Sequence, residues 1–94
     1  MIEFPYGKLV MTLGVSDKIN ADPKFGQFIQ ASLGRHFSGD WGDIDEFDKN
    51  ANLDALEDGD RLLSAYLSEP LRAKVLIITE ADRSYTTVLF PWEY

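Results

Sequence analysis

The chain has no cysteine, so disulfides and thiolate metal sites are excluded. It has no long apolar run. The longest, Val75-Leu76-Ile77-Ile78, is far too short to span a bilayer. The opening residues lack the basic and apolar regions of a signal peptide, so the sequence predicts a cytoplasmic protein of bacterial type. There is no Pro-Pro dipeptide and no Gly-x-Gly loop. A single histidine, His36, leaves little material for acid–base catalysis. Basic residues are nearly absent from the middle of the sequence, where Lys49 stands alone between residues 40 and 60.

What that middle holds instead is acid. Asp40, Asp43, Asp45, Glu46, Asp48, Asp54, Glu57, Asp58 and Asp60 give it a charge of −8. The whole protein carries −7, so everything outside the stretch is close to neutral at +1. Clustered negative charge repels nucleic acid and attracts basic surfaces. Direct nucleic-acid binding is therefore disfavoured, since phosphate contacts need clustered lysine and arginine. With 94 residues, 45% of them hydrophobic and 27% charged, the composition suits one small globular domain with a modest core.

Hydropathy patterning sets the elements. Residues 5–13 read as a first strand, because Leu9, Met11 and Leu13 alternate with Lys8, Val10 and Thr12. Gly14 supplies a turn, Ser16 or Asp17 a cap, and residues 17–21 a short helical turn. Asp22-Pro23 then opens a helix to about Phe37. Its buried face carries Phe25, Phe28, Ile29, Leu33 and Phe37, with His36 beside the stripe. Gly34 would permit close approach of a neighbouring element. Gly39 and Gly42 reverse the backbone direction. Asp43 or Asp45 caps the next helix, whose apolar arc is Ile44, Phe47, Ala51 and Ala55, extended by Asp48 and Asn52. Gly59 ends it.

From residue 60 the period is two. Residues 61–67, 72–79 and 84–90 read as strands, the middle one apolar on both faces and hence central. The predicted fold is α+β: two to three helices packed on one face of a mostly antiparallel sheet of about four strands, in the order β-α-α-β-β-β.

Two motifs stand out, Gly39-Asp40-Trp41-Gly42 and Thr79-Glu80-Ala81-Asp82-Arg83-Ser84 followed by Thr86-Thr87. With Asp48, Asn52, Leu63-Ser64-Ala65-Tyr66, Ile77-Ile78 and the closing Pro91-x-Glu93-Tyr94, they resemble a family of short bacterial and plasmid-borne proteins. Members are labelled plasmid-related, or as subunit M of type I restriction endonucleases. The resemblance spans residues 35–94 and implies plasmid, mobile-element or defence biology. The methyltransferase label does not suit the residues. Such an enzyme needs a cofactor domain and an Asn/Asp-Pro-Pro-aromatic loop for a flipped base.

Two functional expectations follow. The first is a non-enzymatic interaction module that docks a basic protein surface through Asp40, Trp41, Asp43, Asp54, Glu57 and Asp58. The alternative for the acids is a solvated helix that keeps the protein soluble, and Trp41 is either an exposed anchor or a ring that caps the core where the helices turn. The second is a small enzyme or ligand binder built on Glu80, Asp82 and Arg83 with His36. There the carboxylates would take a cation and Arg83 an anionic group. The alternative is a structural hairpin in which Asp82 bonds backbone amides and Arg83 pairs with Glu80 or the acidic helix. His36 is either an acid–base partner of Asp40 or a packed, hydrogen-bonded residue beside the apolar face. No EF-hand spacing occurs, and no metal or cofactor is expected. A homodimer through the edge of the first or last strand, near Tyr85 or Trp92, is a further expectation.

Overall fold

The computed structural model describes residues 4–94. The fold is α+β, with strands β1 (Lys8–Met11), β2 (Leu62–Ser68), β3 (Ala73–Thr79) and β4 (Tyr85–Leu89). Helices α1 (Leu13–Ala21), α2 (Pro23–Phe37) and α3 (Glu46–Asp58) fall between β1 and β2. The sheet order is β1-β4-β3-β2, with β1 parallel to β4 and the other pairs antiparallel. The doubly apolar β3 is interior, as its sequence requires.

All three helices cover one face of the sheet. Val15 of α1 and Phe25 and Ile29 of α2 pack on Tyr66, Val75, Ile77, Val88 and Phe90. A second cluster joins Trp41, Ala55 and Leu62, with Phe4, Ile44 and Leu56 against it. Together the two clusters form the modest core that a protein of this size supports.

The first strand is shorter than its alternation implies, and the helix after it longer. Thr12 leaves the strand, and its hydroxyl accepts the Val15 N–H at 3.2 Å while donating to Glu93 at 2.8 Å. Thr12 is thus the cap in place of Ser16 or Asp17, Gly14 is helical, and Leu13 is 76% exposed instead of lining a strand. The deciding partner, Glu93, also accepts the Phe90 N–H at 2.7 Å. It lies in a short 3-10 turn, Pro91–Glu93, more than eighty residues later.

α2 begins as its sequence predicts, with Asp22 accepting the Lys24 N–H at 3.0 Å before Pro23. Its buried line is Phe25, Ile29, Ser32 and His36, with Phe28, Leu33 and Phe37 on the flanks, so His36 is in the stripe and not beside it. Gly34 admits no neighbour: a methyl group there would meet nothing within 4 Å.

α3 is capped by Asp45, which accepts the Asp48 N–H at 2.8 Å, and is ended by Gly59 at φ 77°. Its inward face keeps only part of the predicted arc, with Ile44 packed on the second cluster. Asn52 and Ala55 are buried, whereas Ala51 is exposed and Phe47 stands 81% exposed. The edges of the sheet are β1 and β2, so the last strand is interior and cannot serve as an edge.

Gly34 is a helical glycine with free space around it, so Gly34→Ala should stabilise the fold by about 0.5–1 kcal/mol. Urea denaturation would show this as a raised midpoint with an unchanged slope.

Candidate functional site

The Gly39–Gly42 corner has a structural duty. Gly39 and Gly42 adopt φ 82° and 75°, which turns residues 41–43 alongside β2. There the Ala65 N–H donates to the Trp41 carbonyl at 3.2 Å, and the Asp43 N–H donates to the Ala65 carbonyl at 2.7 Å. The Asp43 carboxylate then accepts the Leu67 N–H at 2.9 Å. One step along the same edge, the Asn52 carboxamide accepts the Leu63 N–H at 3.0 Å and donates to the Leu63 carbonyl at 2.6 Å. Leu63, Ala65 and Leu67 are alternate residues, so these contacts close the outer edge of β2 along most of its length.

Trp41 is 5% exposed and belongs to the core, which removes it as an exposed anchor. Burial of its ring holds the corner against β2. Asp40 is engaged too. Its carboxylate takes two hydrogen bonds from Arg35, at 2.7 and 3.1 Å, and one from the Gly42 N–H at 3.3 Å. The Arg35 hydrogen bond holds the Asp40 carboxyl below its ordinary range. Arg35 also lies over the Tyr66 ring, and the Tyr66 hydroxyl donates to the Asp40 carbonyl at 2.6 Å. Burial pushes the Tyr66 phenol up to about 12.

His36 forms no pair with Asp40. It is fully buried, with Phe4, Phe37 and Trp41 around its ring. Nδ1 lies 2.6 Å from Ser64 Oγ, and Nε2 lies 2.9 Å from Thr79 Oγ1. Thr79 in turn contacts Thr86 at 2.7 Å, and Thr86 donates to the Tyr6 carbonyl at 2.8 Å. That last bond orders the protons. Thr86 gives its proton to Tyr6, Thr79 gives its own to Thr86, and His36 Nε2–H donates to Thr79. Nδ1 is left to accept from Ser64, which assigns a neutral imidazole protonated on Nε2. Burial agrees, lowering the His36 pKa to about 4. Sequence reasoning missed this line. Its signal was three inward positions occupied by Ser64, Thr79 and Thr86 in otherwise apolar strands.

The Glu80–Arg83 hairpin is likewise occupied with the fold. Arg83, at φ 60°, donates to the backbone carbonyls of Asp60 at 2.6 Å, Ala55 at 3.0 Å and Glu80 at 3.1 Å. It therefore ties the last turn of α3 to the β3–β4 turn, where a cation suits the helix C-terminus. Asp82 accepts the Ser84 N–H at 2.9 Å, and Ser84 lowers its pKa. Glu80, Asp82 and Tyr85 line an open depression of about 320 Å³ that neither Arg83 nor His36 reaches. The hairpin and the histidine are thus not brought together. Among the described residues no group of three His, Asp or Glu side chains is placed to hold a metal ion. No helix there is long and apolar enough to cross a membrane.

Asp54, Glu57 and Asp58 are different. They sit on the outer face of α3, and among the described residues no lysine or arginine pairs with them. The ion pairs present there are Arg35–Asp40 and Lys49–Glu46, the latter at 3.7 Å. Two adjacent helical rows, Phe47-Ala51-Asp54-Asp58 and Glu46-Asn50-Leu53-Glu57, face solvent throughout. An aromatic ring at the start of an acidic ridge is the arrangement that the apolar-arc reading concealed. No family model, curated protein or solved structure matches this protein.

Two outcomes test these assignments. A side chain at Gly42 would place its Cβ 2.1 Å from the Ala65 carbonyl oxygen at a left-handed φ, so Gly42→Ala should destabilise by about 2 kcal/mol or more. For His36, the unfolded state takes up its proton near pH 6.5 and the folded state only near 4. Stability should fall as pH drops from about 6.5 to 4, by roughly 3 kcal/mol in all. His36 is the only histidine, so urea melts of a folded His36→Gln variant should lose that slope between pH 7 and about 5.

Proposed function

We propose that this protein is a cytoplasmic, non-enzymatic interaction module whose α3 ridge docks on a basic protein surface. The observation that carries the reading is Phe47, 81% exposed on the helix that also presents Asp54, Glu57 and Asp58 without counter-charges among the described residues. An exposed aromatic gives a desolvated contact and the acids give steering and register. The resemblance to plasmid-borne proteins directs the search toward nucleic-acid-binding proteins of a mobile-element or defence system, whose surfaces are basic. The residues that would be needed for catalysis support the same reading. His36 is enclosed, and Arg83 is spent on backbone carbonyls.

Affinity capture from cells that carry the gene, with mass spectrometry, is the test. A basic partner should be recovered by the wild type and lost with the triple variant Asp54→Lys, Glu57→Lys, Asp58→Lys. Phe47→Ala should weaken binding of the purified partner by about tenfold, in line with a single anchor. Binding should also fade at roughly 0.5 M salt, where exposed charges are screened within a few ångströms. A partner retained by the triple variant at high salt would refute the reading.

A further inference from the structure

The two edges of the sheet are treated in opposite ways. β2 is closed by Asn52, the backbone of Trp41–Asp43 and the Asp43 carboxylate. β1 has no such cover among the described residues. The Lys8 N–H donates to the Ser84 carbonyl at 3.0 Å and the Thr12 N–H to the Val88 carbonyl at 3.1 Å, so its even-numbered residues face β4. By alternation the backbone groups of Leu9 and Met11 point away from the sheet, and no other strand lies there among the described residues. Exposed apolar side chains gather at the same place. Of ten large ones among the described residues, Tyr6, Leu9, Val10 and Leu13 lie on or beside β1, and Tyr85 is the register partner of Lys8.

The geometry points to a second copy of this protein as the occupant: β1 pairs antiparallel with its own mate about a two-fold axis at Val10. That register sets Leu9 opposite Met11 of the second copy and Met11 opposite its Leu9, joining the outward backbone groups in about four N–H···O bonds. Val10 then faces Val10, a close apolar pair. Lys8 faces Thr12 of the mate, whose hydroxyl is bonded to Glu93, so each ammonium meets a carboxylate and no like charges oppose. The distribution of charge favours this edge over any other. α3 packs at the β2 side of the sheet, so the two acidic ridges stand at the far ends of a continuous eight-stranded sheet. An isologous contact of this kind closes on itself and leaves only the sealed β2 edges outside.

This inference is independent of the partner proposed for α3. Light scattering after size exclusion should give the wild type twice its monomer mass of 10.6 kDa. Val10→Lys and Val10→Glu should each run as folded monomers, checked by circular dichroism, and their equimolar mixture should recover the dimer. In the wild type, amide exchange at Leu9 and Met11 should slow with rising concentration, which a face-to-face stacking of sheets would not produce. Three results would overturn the proposal. One is a wild-type monomer at about 0.5 mM, where an interface of Kd about 0.1 mM would be largely formed. The others are a Val10→Lys dimer, and a mixture of folded variants that stays monomeric.

Discussion

The two hydrogen bonds between the Asn52 carboxamide and the backbone of Leu63 decide how the acidic helix sits. An amide side chain offers a donor and an acceptor side by side, as a neighbouring strand does. Asn52 therefore imitates one rung of a ladder while remaining on a helix. α3 has few apolar residues with which to choose a face, so this polar match turns Asn52 and Ala55 inward and Phe47 outward. Leaving Leu63 unpaired beneath the helix would carry the desolvation penalty of two backbone groups. That penalty outweighs the burial of one phenylalanine in setting the rotation of the helix.

A second buried polar system lies deeper. The line from Ser64 through His36, Thr79 and Thr86 to the Tyr6 carbonyl crosses from β2 over β3 and β4 to the segment leading into β1. Both threonine hydroxyls in it donate and accept, so the line is satisfied only when all members are in register. A slip of one strand by one residue would remove a hydroxyl from the interior and strand the imidazole without partners. The line thus adds to the apolar packing in specifying the register of the sheet. Its aromatic surroundings exclude water and keep the imidazole neutral.

Much of this fold was legible because local signals agreed with it. Asp22-Pro23 started α2, Gly59 ended α3, and the doubly apolar run at residues 75–78 marked an interior strand. What failed to be legible depended on partners distant in sequence. The length of α1 rests on Thr12, which is held by Glu93, and no window of periodicity contains both. The face of α3 rests on Leu63. Asp40 and Trp41, flanked by glycines in a polar loop, could be read as recognition residues or, for Trp41, as a cap on the core. The same composition describes a corner that closes a strand edge, and only the position of Ala65 separates the two. Arg83 could likewise be read as an anion ligand or as a partner of Glu80 or the acidic helix. Besides the nearby Glu80 carbonyl, its partners Ala55 and Asp60 belong to the end of a helix more than twenty residues earlier.

The division of labour within α3 follows from these contacts. Asp45 caps its start, Gly59 and Arg83 finish its end, and Asn52 with Ala55 attaches it to β2. Asp54, Glu57, Asp58 and Phe47 take no part in any of this. Like charges at three- and four-residue spacing even weaken an isolated helix slightly, by a few tenths of a kcal/mol per pair. A solvated face needs charge for solubility, yet solubility gives no reason to keep an aromatic ring in water at the head of the ridge. The ring and the acids share one exposed surface and take no part in the contacts that hold α3 on the sheet.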